Sequence, residues 1–431
     1  MSIDSGGATL LMSEYLAAEW KPALGCTEPA AVAWATALAA GICEGAIKEI
    51  RLTCDPRIYK NCYAVGLPNS GGRQGILWTL AIGSQLKDSS LGLRCFEGAD
   101  AEALVQAQDL MDRCAVRVDV HPIRADLFID VTVVREGGTG RAVVEGDHTN
   151  LTRLERNGIL TSAAASRSVP CRVSSLRASI AGMSIQETMA LARSLTEEDR
   201  AALREGIACN VEVARDGMSL VPEHLVYSQM RDGQSRAEMY VGAGVRARMS
   251  GLSRTVMTLA GSGNKGITVS IPIWLWGRES GHSDHHIDEA LAFACLITSA
   301  TTFRLGTLSA ACGSAIAAGA GIAAGLVMLE GGSAHKAGLA ISTVVGTLAG
   351  MICDGAKTGC SMKTVTGVEV AFRAANHAML GEGIPETNGI VGHDGETSLV
   401  YLGLVVTKGM ASVDAEILDI MQQKLTSSGN Y

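Results

Sequence analysis

The chain has 431 residues, a length that exceeds one simple hydrophobic core and favours two domains. Its formal net charge is -8 at pH 7 and no basic face is evident, which argues against a nucleic-acid backbone as partner. Aromatic residues make up only 4% of the chain, whereas Ala and Gly are abundant. This composition is typical of closely packed helices with small residues at their contacts.

The cysteine content indicates a reduced protein. The 12 cysteines are scattered, and the first residues contain neither the basic nor the apolar segment of a signal peptide. We therefore expect a cytoplasmic protein whose cysteines bind a metal or take part in catalysis rather than form disulfides.

One uncharged run is long enough to cross a bilayer. It covers the 25 residues of Leu305–Leu329. Most of them are Gly, Ala, Ser and Thr, which insert poorly into lipid. The run is therefore predicted to be a buried helix, and no membrane is expected as a partner.

The N-terminal segment is predicted to form two helices, at Ala8–Trp20 and Ala30–Ile42. Thr27 is the expected N-cap of the second helix. Cys26 would then lie just before a helix N-terminus, where the macrodipole and free N–H groups favour a thiolate. A catalytic base or nucleophile and a buried apolar cysteine are equally compatible with this position.

A period of two residues and β-branched side chains appear after the second helix and indicate strands. Helices are predicted beside them at Ile76–Leu86 and Ala101–Met111. A hairpin turn is predicted at residues 136–140. The predicted strands are Ile47–Thr53, Tyr63–Leu67, Val116–Val120, Leu127–Val134, Arg141–Gly146 and Leu151–Leu154.

After Pro170 the strands give way to helices. The short apolar run Ile271–Trp276 is not assigned to a helix and gives way to a charged loop, and the tail after Gly383 is expected to be rich in loops until the last helix. The predicted helices are Ser184–Ser194, Glu197–Glu223, Glu238–Gly251, Ser253–Leu259, Ile287–Ser299, Gly306–Leu329, His335–Cys353, Lys363–Met379 and Ser412–Leu425.

The predicted fold class is therefore α+β. A mostly helical domain of small-residue packed helices is expected at residues 169–431, and a smaller α+β domain at residues 46–168. We expect the N-terminal helices of residues 1–45 to pack with the helical domain.

Three cysteines, Cys312, Cys353 and Cys360, frame the Gly- and Ala-rich helices. Cysteine thiolates are the protein ligands of iron–sulfur clusters, and three of them leave one iron free for a substrate. The spacing is unlike that of ferredoxins, and taken alone it favours three small buried residues. Asp354 and two nearby lysines make the neighbourhood polar, which favours the cluster.

A glycine-rich stretch, Ala260–Ile267, interrupts the helical pattern. Its glycines would let backbone N–H groups converge on an anion, and Asn264 and Lys265 would add donors. The stretch lacks the pattern of a phosphate-binding loop. A carboxylate site and an ordinary glycine turn both remain open.

The histidines give weaker signals. His282, His285 and His286 lie in a charged loop, where solvated side chains are more common than metal ligands. His148 and His393 belong to isolated polar clusters. None of these clusters alone identifies a site.

Several short motifs follow one another along the chain: Lys21–Pro29 (KPALGCTEP), His148-Thr149-Asn150, Gly261–Thr268 (GSGNKGIT), Met351–Ala356 (MICDGA), Gly359–Lys363 (GCSMK), and Asn388-Gly389-Ile390 with His393-Asp394. In this order, and nearly from end to end, they resemble the L-cysteine desulfidase family of the iron–sulfur-dependent L-serine dehydratase alpha-subunit superfamily.

The resemblance implies a lyase with a [4Fe-4S] cluster. It implies conversion of L-cysteine to pyruvate, ammonia and hydrogen sulfide by α,β-elimination. Cys26 matches the family's base. The implied iron ligands are Cys312, Cys353 and Cys360, and the implied substrate contacts are Asn61, His148, Ser262, Gly263, Asn264 and Lys265. The implied partner is a small amino acid, and a homo-oligomer remains open.

The chain departs from the family pattern at a few positions. Cys62 replaces a glycine, Asn69 and Ser70 replace Gly-Thr, and Asp147 replaces a glycine. These departures leave the exact substrate open.

Three alternatives therefore remain. L-serine dehydration by the same chemistry is the nearest. A non-enzymatic iron–sulfur sensor would need the three cluster cysteines but not Cys26. A membrane bundle of small-residue helices would require detergent.

Overall fold

The computed structural model describes residues 10–121, 124, 126–162, 172–222 and 232–428. The predicted helix limits at Ala8 and Glu223, and the predicted boundary between residues 168 and 169, lie outside them. Within the described residues the fold is α+β and mostly helical, which confirms the predicted class.

The first part of the chain contains most of the strands. Its elements are α1 (Met12–Glu19), β1 (Lys21–Leu24), α2 (Thr27–Gly41), β2 (Ile47–Cys54), α3 (Pro56–Cys62), α4 (Ile76–Gly83), a 3-10 helical segment (Ser89–Gly98), α5 (Ala101–Asp112), β3 (Val116–Val120), β4 (Phe128–Arg135), β5 (Gly138–Glu145), β6 (Leu151–Arg156) and β7 (Ile159–Ser162).

The larger sheet has the strand order β3-β2-β4-β5-β6-β7. Only the β2–β3 pair is parallel. The alanine-rich α2 packs across β4 and β5 and is buried along most of its length. At Gly140 a β-carbon would lie 1.9 Å from the Ala39 carbonyl oxygen, so only glycine permits this close approach.

The rest of the chain is mostly helical. Its elements are α6 (Arg172–Ala181), α7 (Ile185–Ala192), α8 (Glu197–Gly217), a 3-10 turn (Met218–Leu220), α9 (Gly233–Met249), β8 (Thr255–Thr258), α10 (Gly263–Glu279), α11 (Asp284–Leu305), α12 (Gly313–Leu329), α13 (Ala334–Leu348), α14 (Cys360–Met379), α15 (Gly395–Leu404), a π-helical turn (Val405–Gly409) and α16 (Val413–Ser428).

Helix α12 is the centre of this helical part. It packs against α10, α11, α13 and α14, and its residues from Ala315 to Leu329 are all buried. Its small residues permit the four neighbouring helices to pack this closely, since a β-carbon at Gly321 would lie 2.4 Å from the Ala294 carbonyl oxygen. The prediction of a buried small-residue helix is confirmed, but the helix begins at Gly313 and not at Gly306.

The hydrophobic core consists of two clusters. One lies among the helices and includes residues of α1, and the other lies between α2 and the larger sheet. The two N-terminal helices therefore pack on different cores. The domain limits proposed from the sequence remain a prediction.

The predicted helix at Ser253–Leu259 is wrong. Thr255–Thr258 forms β8, which pairs antiparallel with β1. The pairing joins segments separated by more than two hundred residues, so neither strand carries a local signal. This pairing also places the segment that precedes Cys26 next to the segment that precedes Gly261.

Three other predictions need correction. Tyr63–Leu67 is not a strand, and Gly66 makes only an isolated bridge to Gln74. The run Ile271–Trp276 belongs to α10, which continues through Pro272. The segment after Gly383, expected to be loop until the last helix, contains α15.

No single helix in the described part of the chain is both long and apolar enough to cross a membrane. One bent pair, residues 395–409 with residues 413–424, meets that length and composition only when taken together.

Candidate active site

A polar cavity of about 80 Å³ lies where α2 and α3 meet the ends of α10, α11 and α12. Four residues selected from the sequence line it: Asn61, Ser262, Lys265 and Cys353. They come from three separate parts of the chain, with Ser262 and Lys265 both at the start of α10, so the fold brings together segments that are distant in sequence.

Cys26 lies immediately before α2, as predicted, and is itself the N-cap residue in place of Thr27. Its buried thiol donates a hydrogen bond of 2.9 Å to the Glu28 carboxylate. Burial, and then the charge of Glu28, raise the pKa of Cys26 well above its ordinary value. The expected thiolate is therefore wrong for the resting site, because these two effects outweigh the helix N-terminus.

Glu28 is a candidate site residue that was not among those selected from the sequence. Its carboxylate accepts hydrogen bonds from Cys26, from Thr27 (3.0 Å) and from the Asn61 amide (3.1 Å). Burial raises the pKa of Glu28, but His148, Cys26 and Arg248 lower it by more, so the group stays ionised. The signal was available, because an acidic residue in a helix's first turn is a common N-terminal feature.

His148 lies in the turn between β5 and β6 and is buried beside Glu28. Its Nε2 is 3.9 Å from Glu28 Oε1. It also lines a second cavity of about 40 Å³ with Asp147, Arg177 and Gly261. Gly261, at φ +75°, lies between the two cavities, where a β-carbon would be 3.5 Å from the His148 ring.

The glycine-rich stretch is partly helical. Residues from Gly263 onward form the first turn of α10, so the expected loop ends at Ser262. The side chain of Asn264 accepts a hydrogen bond of 2.8 Å from Arg248, and Gly263 packs against the same guanidinium. These two residues therefore support the wall of the cavity and are not among the residues that line it.

Lys265 is one of two buried lysines that line the cavity, the other being Lys60. Its ammonium group donates a hydrogen bond of 3.2 Å to the Ala260 carbonyl. Burial, and then the positive charge of Arg177, lower the pKa of Lys265 to about 7. The side chain can therefore gain or lose a proton near neutral pH.

The polar lining is incompletely paired. Within the described part of the chain, Asn61 Oδ1, Thr302 Oγ1 and His148 Nε2 are buried without a hydrogen-bond partner. Because Asn61 donates through Nδ2 to Glu28, its Oδ1 is left free to accept. Buried polar atoms are rarely left unpaired, so this pattern fits a site that receives a polar ligand.

The three predicted iron ligands lie close together. The Cys312 N–H donates to the Met351 carbonyl (2.8 Å) and the Cys353 N–H to the Ala310 carbonyl (2.7 Å), so the two cysteine segments pair. Cys360 begins α14. Burial, and then the neighbouring Cys353 and Cys360, raise the pKa of Cys312, as expected of thiols that share one site.

This donor set fits an iron–sulfur cluster. Among the described residues no three His, Cys, Asp or Glu side chains are arranged around a single metal ion. A cluster differs, because each cysteine binds its own iron. The three thiols, with Lys357 and Lys363 beside them, match that requirement in number, chemistry and charge.

The other histidines remain outside the cavity. His282 and Glu330 approach to 3.4 Å, while His285 and His393 are exposed. His286 contacts the Met328 carbonyl at 3.2 Å. The predicted charged loop is therefore wrong for His285 and His286, which lie in the first turn of α11, and of the three only His285 is exposed as expected of a solvated side chain.

The departures from the family pattern lie in different places. Cys62 is fully buried, and its pKa is raised by burial and then by Cys26 and Glu28. The Asn69 amide donates a hydrogen bond to the Phe96 carbonyl at 2.9 Å, and Ser70 bonds to its own turn. Cys62 therefore interacts electrostatically with Cys26, while Asp147 lines the second cavity beside His148.

Comparison with known proteins places the chain among relatives of similar length. The family model described as "Serine dehydratase alpha chain" matches residues 141–419. A UPF0597 protein of Geobacter sulfurreducens is 35% identical over 419 residues, covering 95% of this chain and 98% of its own. A UPF0597 protein of Caldanaerobacter subterraneus is 33% identical, covering 96% and 99%. Another, from Desulfatibacillum aliphaticivorans, is 33% identical over 430 residues, covering 96% and 98%.

Proposed function

Because this chain belongs to the serine dehydratase alpha chain family and to the UPF0597 proteins, we propose that it is an iron–sulfur-dependent lyase acting on L-cysteine. The family is one of lyase-type enzymes with serine dehydratase-like chemistry, generally dependent on iron and sulfur. The proposed reaction is α,β-elimination to pyruvate, ammonia and hydrogen sulfide.

One observation carries the proposal. A partly enclosed cavity combines a member of the three-cysteine group, Cys353, with the cation Lys265 and the unpaired acceptor Asn61 Oδ1. An amino acid presents a carboxylate, an ammonium group and a leaving group close together. The cavity supplies a complementary group for each of them.

The proposed cofactor is a [4Fe-4S] cluster held by Cys312, Cys353 and Cys360. When bound, it supplies an iron without a protein ligand, a Lewis acid for the substrate carboxylate and leaving group. Cys353 lines the cavity, so the substrate and the cluster would meet there.

The chain's own residues orient the amino acid. Lys265, when protonated, pairs with the carboxylate in a buried setting where such a hydrogen bond is strong. Asn61 Oδ1 accepts a hydrogen bond from the ammonium group, and the Glu28 carboxylate on the same wall adds a negative charge. Together these contacts direct the α-carbon toward the Cys26–Glu28 pair.

Cys26 and Glu28 move the proton. In the resting site the thiol holds its proton and Glu28 is ionised. The raised pKa of Cys26 and the lowered pKa of Glu28 hold the proton on sulfur at rest, so its transfer along the hydrogen bond to Glu28 is an uphill step, in which the forming thiolate takes the α-proton as its own proton leaves. The electrons of the broken Cα–H bond form the Cα=Cβ bond, and the electrons of the Cβ–S bond leave with the sulfur. Glu28 returns its proton to the departing hydrosulfide, so that hydrogen sulfide is released and the Cys26–Glu28 pair is restored. The released aminoacrylate then reacts with water to give pyruvate and ammonia.

An anaerobic assay tests the proposal. Protein reconstituted with iron and sulfide is incubated with L-cysteine and, separately, with L-serine, and pyruvate and sulfide are measured. Equal amounts of pyruvate and sulfide from L-cysteine support it. Pyruvate from L-serine alone would keep the chemistry and replace the substrate. A stable cluster with no product from either amino acid would favour a sensor.

A further inference from the structure

The segment from Cys353 to Cys360, here called the cluster loop, contains no helix of its own before α14 begins. Its start is fixed by the backbone pairing of Cys353 with Ala310. Within the loop, Lys357 donates a hydrogen bond of 2.6 Å to the Asp354 carbonyl. Local bonds of this kind do not hold the loop against the rest of the protein.

Lys60 supplies a contact from outside the loop. It lies in α3, and its side chain is 1% exposed. Its ammonium group donates a hydrogen bond of 2.6 Å to the carbonyl of Cys353, a proposed iron ligand. A buried cation on this carbonyl fixes the backbone at the point where the ligand side chain begins.

The charge of Lys60 is compensated from the other end of the chain. Asp414, in the first turn of α16, lies 2.5 Å from the Lys60 ammonium and 2.7 Å from Arg57 Nε. Burial raises the pKa of Asp414, but Lys60 and Arg57 lower it by more, so the carboxylate stays ionised. The C-terminal helix therefore determines where the Lys60 side chain is held.

The turn of α3 that carries Lys60 contacts the cluster loop at a second point. Gly355 has φ +96°, and a β-carbon there would lie 2.2 Å from the Lys60 carbonyl oxygen. The backbone of Lys60 thus lies directly against the loop while its side chain binds Cys353. Two independent contacts with one residue make Lys60 the central residue of this junction.

We propose that Asp414 and Lys60 are positioning residues that tether the cluster loop, so that the C-terminal helix α16 controls how firmly the chain retains its cluster. The inference rests on the proposed function, which assigns Cys353 as an iron ligand. Residues that support metal ligands typically change metal affinity by about 10- to 100-fold when they are replaced.

The test compares wild-type protein with Asp414→Asn, Lys60→Met and the double variant Lys60→Met/Asp414→Leu. Each is reconstituted anaerobically, and iron per chain, cluster absorbance and the rate of iron transfer to a chelator are measured. We expect all three variants to release iron about 10- to 100-fold faster than wild type. The double variant removes both members of the buried Lys60–Asp414 pair, while Arg57 loses that carboxylate and keeps its hydrogen bond to the Leu308 carbonyl. Its apoprotein should therefore regain part of the thermal stability that the single variants lose, while iron release stays fast.

Asp288→Asn is the matched control. Asp288 is also buried, and it pairs with Arg204 at 2.6 Å. It lies near the start of α11, about 25 Å along that helix from the cavity-lining Leu305. This control should lose stability but release iron at the wild-type rate.

A second measurement does not depend on iron. Hydrogen exchange of the amides at residues 353–360 in the apoprotein should accelerate in Asp414→Asn and Lys60→Met and stay unchanged in Asp288→Asn. Unchanged exchange together with wild-type iron release in Asp414→Asn and Lys60→Met would overturn this inference and leave the proposed function standing. Iron release that follows thermal stability across all variants would also overturn it. A wild-type chain that takes up no iron would overturn the proposed function, whatever the exchange data show.

Discussion

The Cys26 thiol donates its hydrogen bond to Glu28, a residue two positions further along the same helix turn. The pair holds a proton on sulfur, because burial and the Glu28 charge raise the pKa of Cys26. Asn61 fixes the other carboxylate oxygen from α3 at 3.1 Å. The proposed base and its proton acceptor thus form one rigid unit beside the cavity.

Glu28→Gln is expected to make the Cys26 thiol more acidic and, at the same time, to lower the turnover number. Loss of the carboxylate charge should lower the pKa of Cys26 toward its ordinary value, since that charge raises it. The turnover number should nevertheless fall by about 100-fold or more, because the amide cannot accept the thiol proton. The pH dependence of Cys26 alkylation, followed by mass spectrometry on the apoprotein, measures the first effect, and pyruvate formation measures the second.

Thr27→Val is the matched control for Glu28→Gln. It removes one hydrogen bond to Glu28 and keeps the charge. We expect both the alkylation profile and turnover to stay close to wild type. Full turnover in Glu28→Gln would exclude a role for Glu28 in proton transfer.

Lys265 is expected to make substrate binding depend on pH. Burial and Arg177 lower its pKa to about 7, so the ammonium form that pairs with a carboxylate is lost as the pH rises through 7. The quotient kcat/KM, which reports the free enzyme, should therefore decrease above pH 7, by at most about tenfold per pH unit.

Two substitutions test this assignment. Lys265→Arg keeps its charge over the whole range and should remove the decrease that begins near pH 7. Lys265→Met should have a high KM at every pH. An unchanged wild-type profile in Lys265→Met would show that another group binds the carboxylate.

The sequence predicted the local parts of the site. Cys26 was placed at a helix start because Pro29 and the alanine run that follows are short-range signals. Strands β2 to β6 were found from their alternation, within a few residues at each end. These features depend on neighbouring residues, so a single sequence carries them.

The partners of the site could not be predicted in the same way. Asp414 is separated from Lys60 by 354 positions, and more than two hundred residues of sequence lie between the paired strands β1 and β8. The thiolate expected at Cys26 failed first because burial, which raises its pKa most, is a tertiary property, whereas the second cause, the Glu28 carboxylate, lies only two residues away. The pKa of Lys265 is likewise lowered by burial and then by Arg177, which comes from another helix.

Cys353→Ala is expected to abolish stable cluster binding. One of the three thiols would be missing, and the remaining two cannot hold a cluster with the same affinity. Iron and sulfide per chain and the visible absorbance measure the loss. Cys295→Ala is the control, because Cys295 is also fully buried but lies within α11. Wild-type iron content in Cys353→Ala would contradict the assignment.

Asp55 is expected to make the stability of the apoprotein depend on pH. It caps α3, the helix that carries Lys60 and Asn61, by accepting hydrogen bonds from Arg57 N at 2.8 Å and Ile58 N at 3.1 Å. Burial outweighs these bonds and raises its pKa to about 6. Between about pH 4 and 6 the folded chain therefore holds a proton that the unfolded chain has lost.

This group's contribution to the free energy of unfolding should fall as the pH rises through that window. The expected fall is about 3 kcal/mol and is complete above pH 6, where both states are ionised. Asp55→Asn cannot ionise, so the difference in stability between wild type and variant should shrink from pH 4 to pH 6 and then stay constant. Denaturant unfolding of both apoproteins at matched pH measures this difference. A constant difference across pH 4 to 6 would mean that the folded state does not raise the pKa of Asp55.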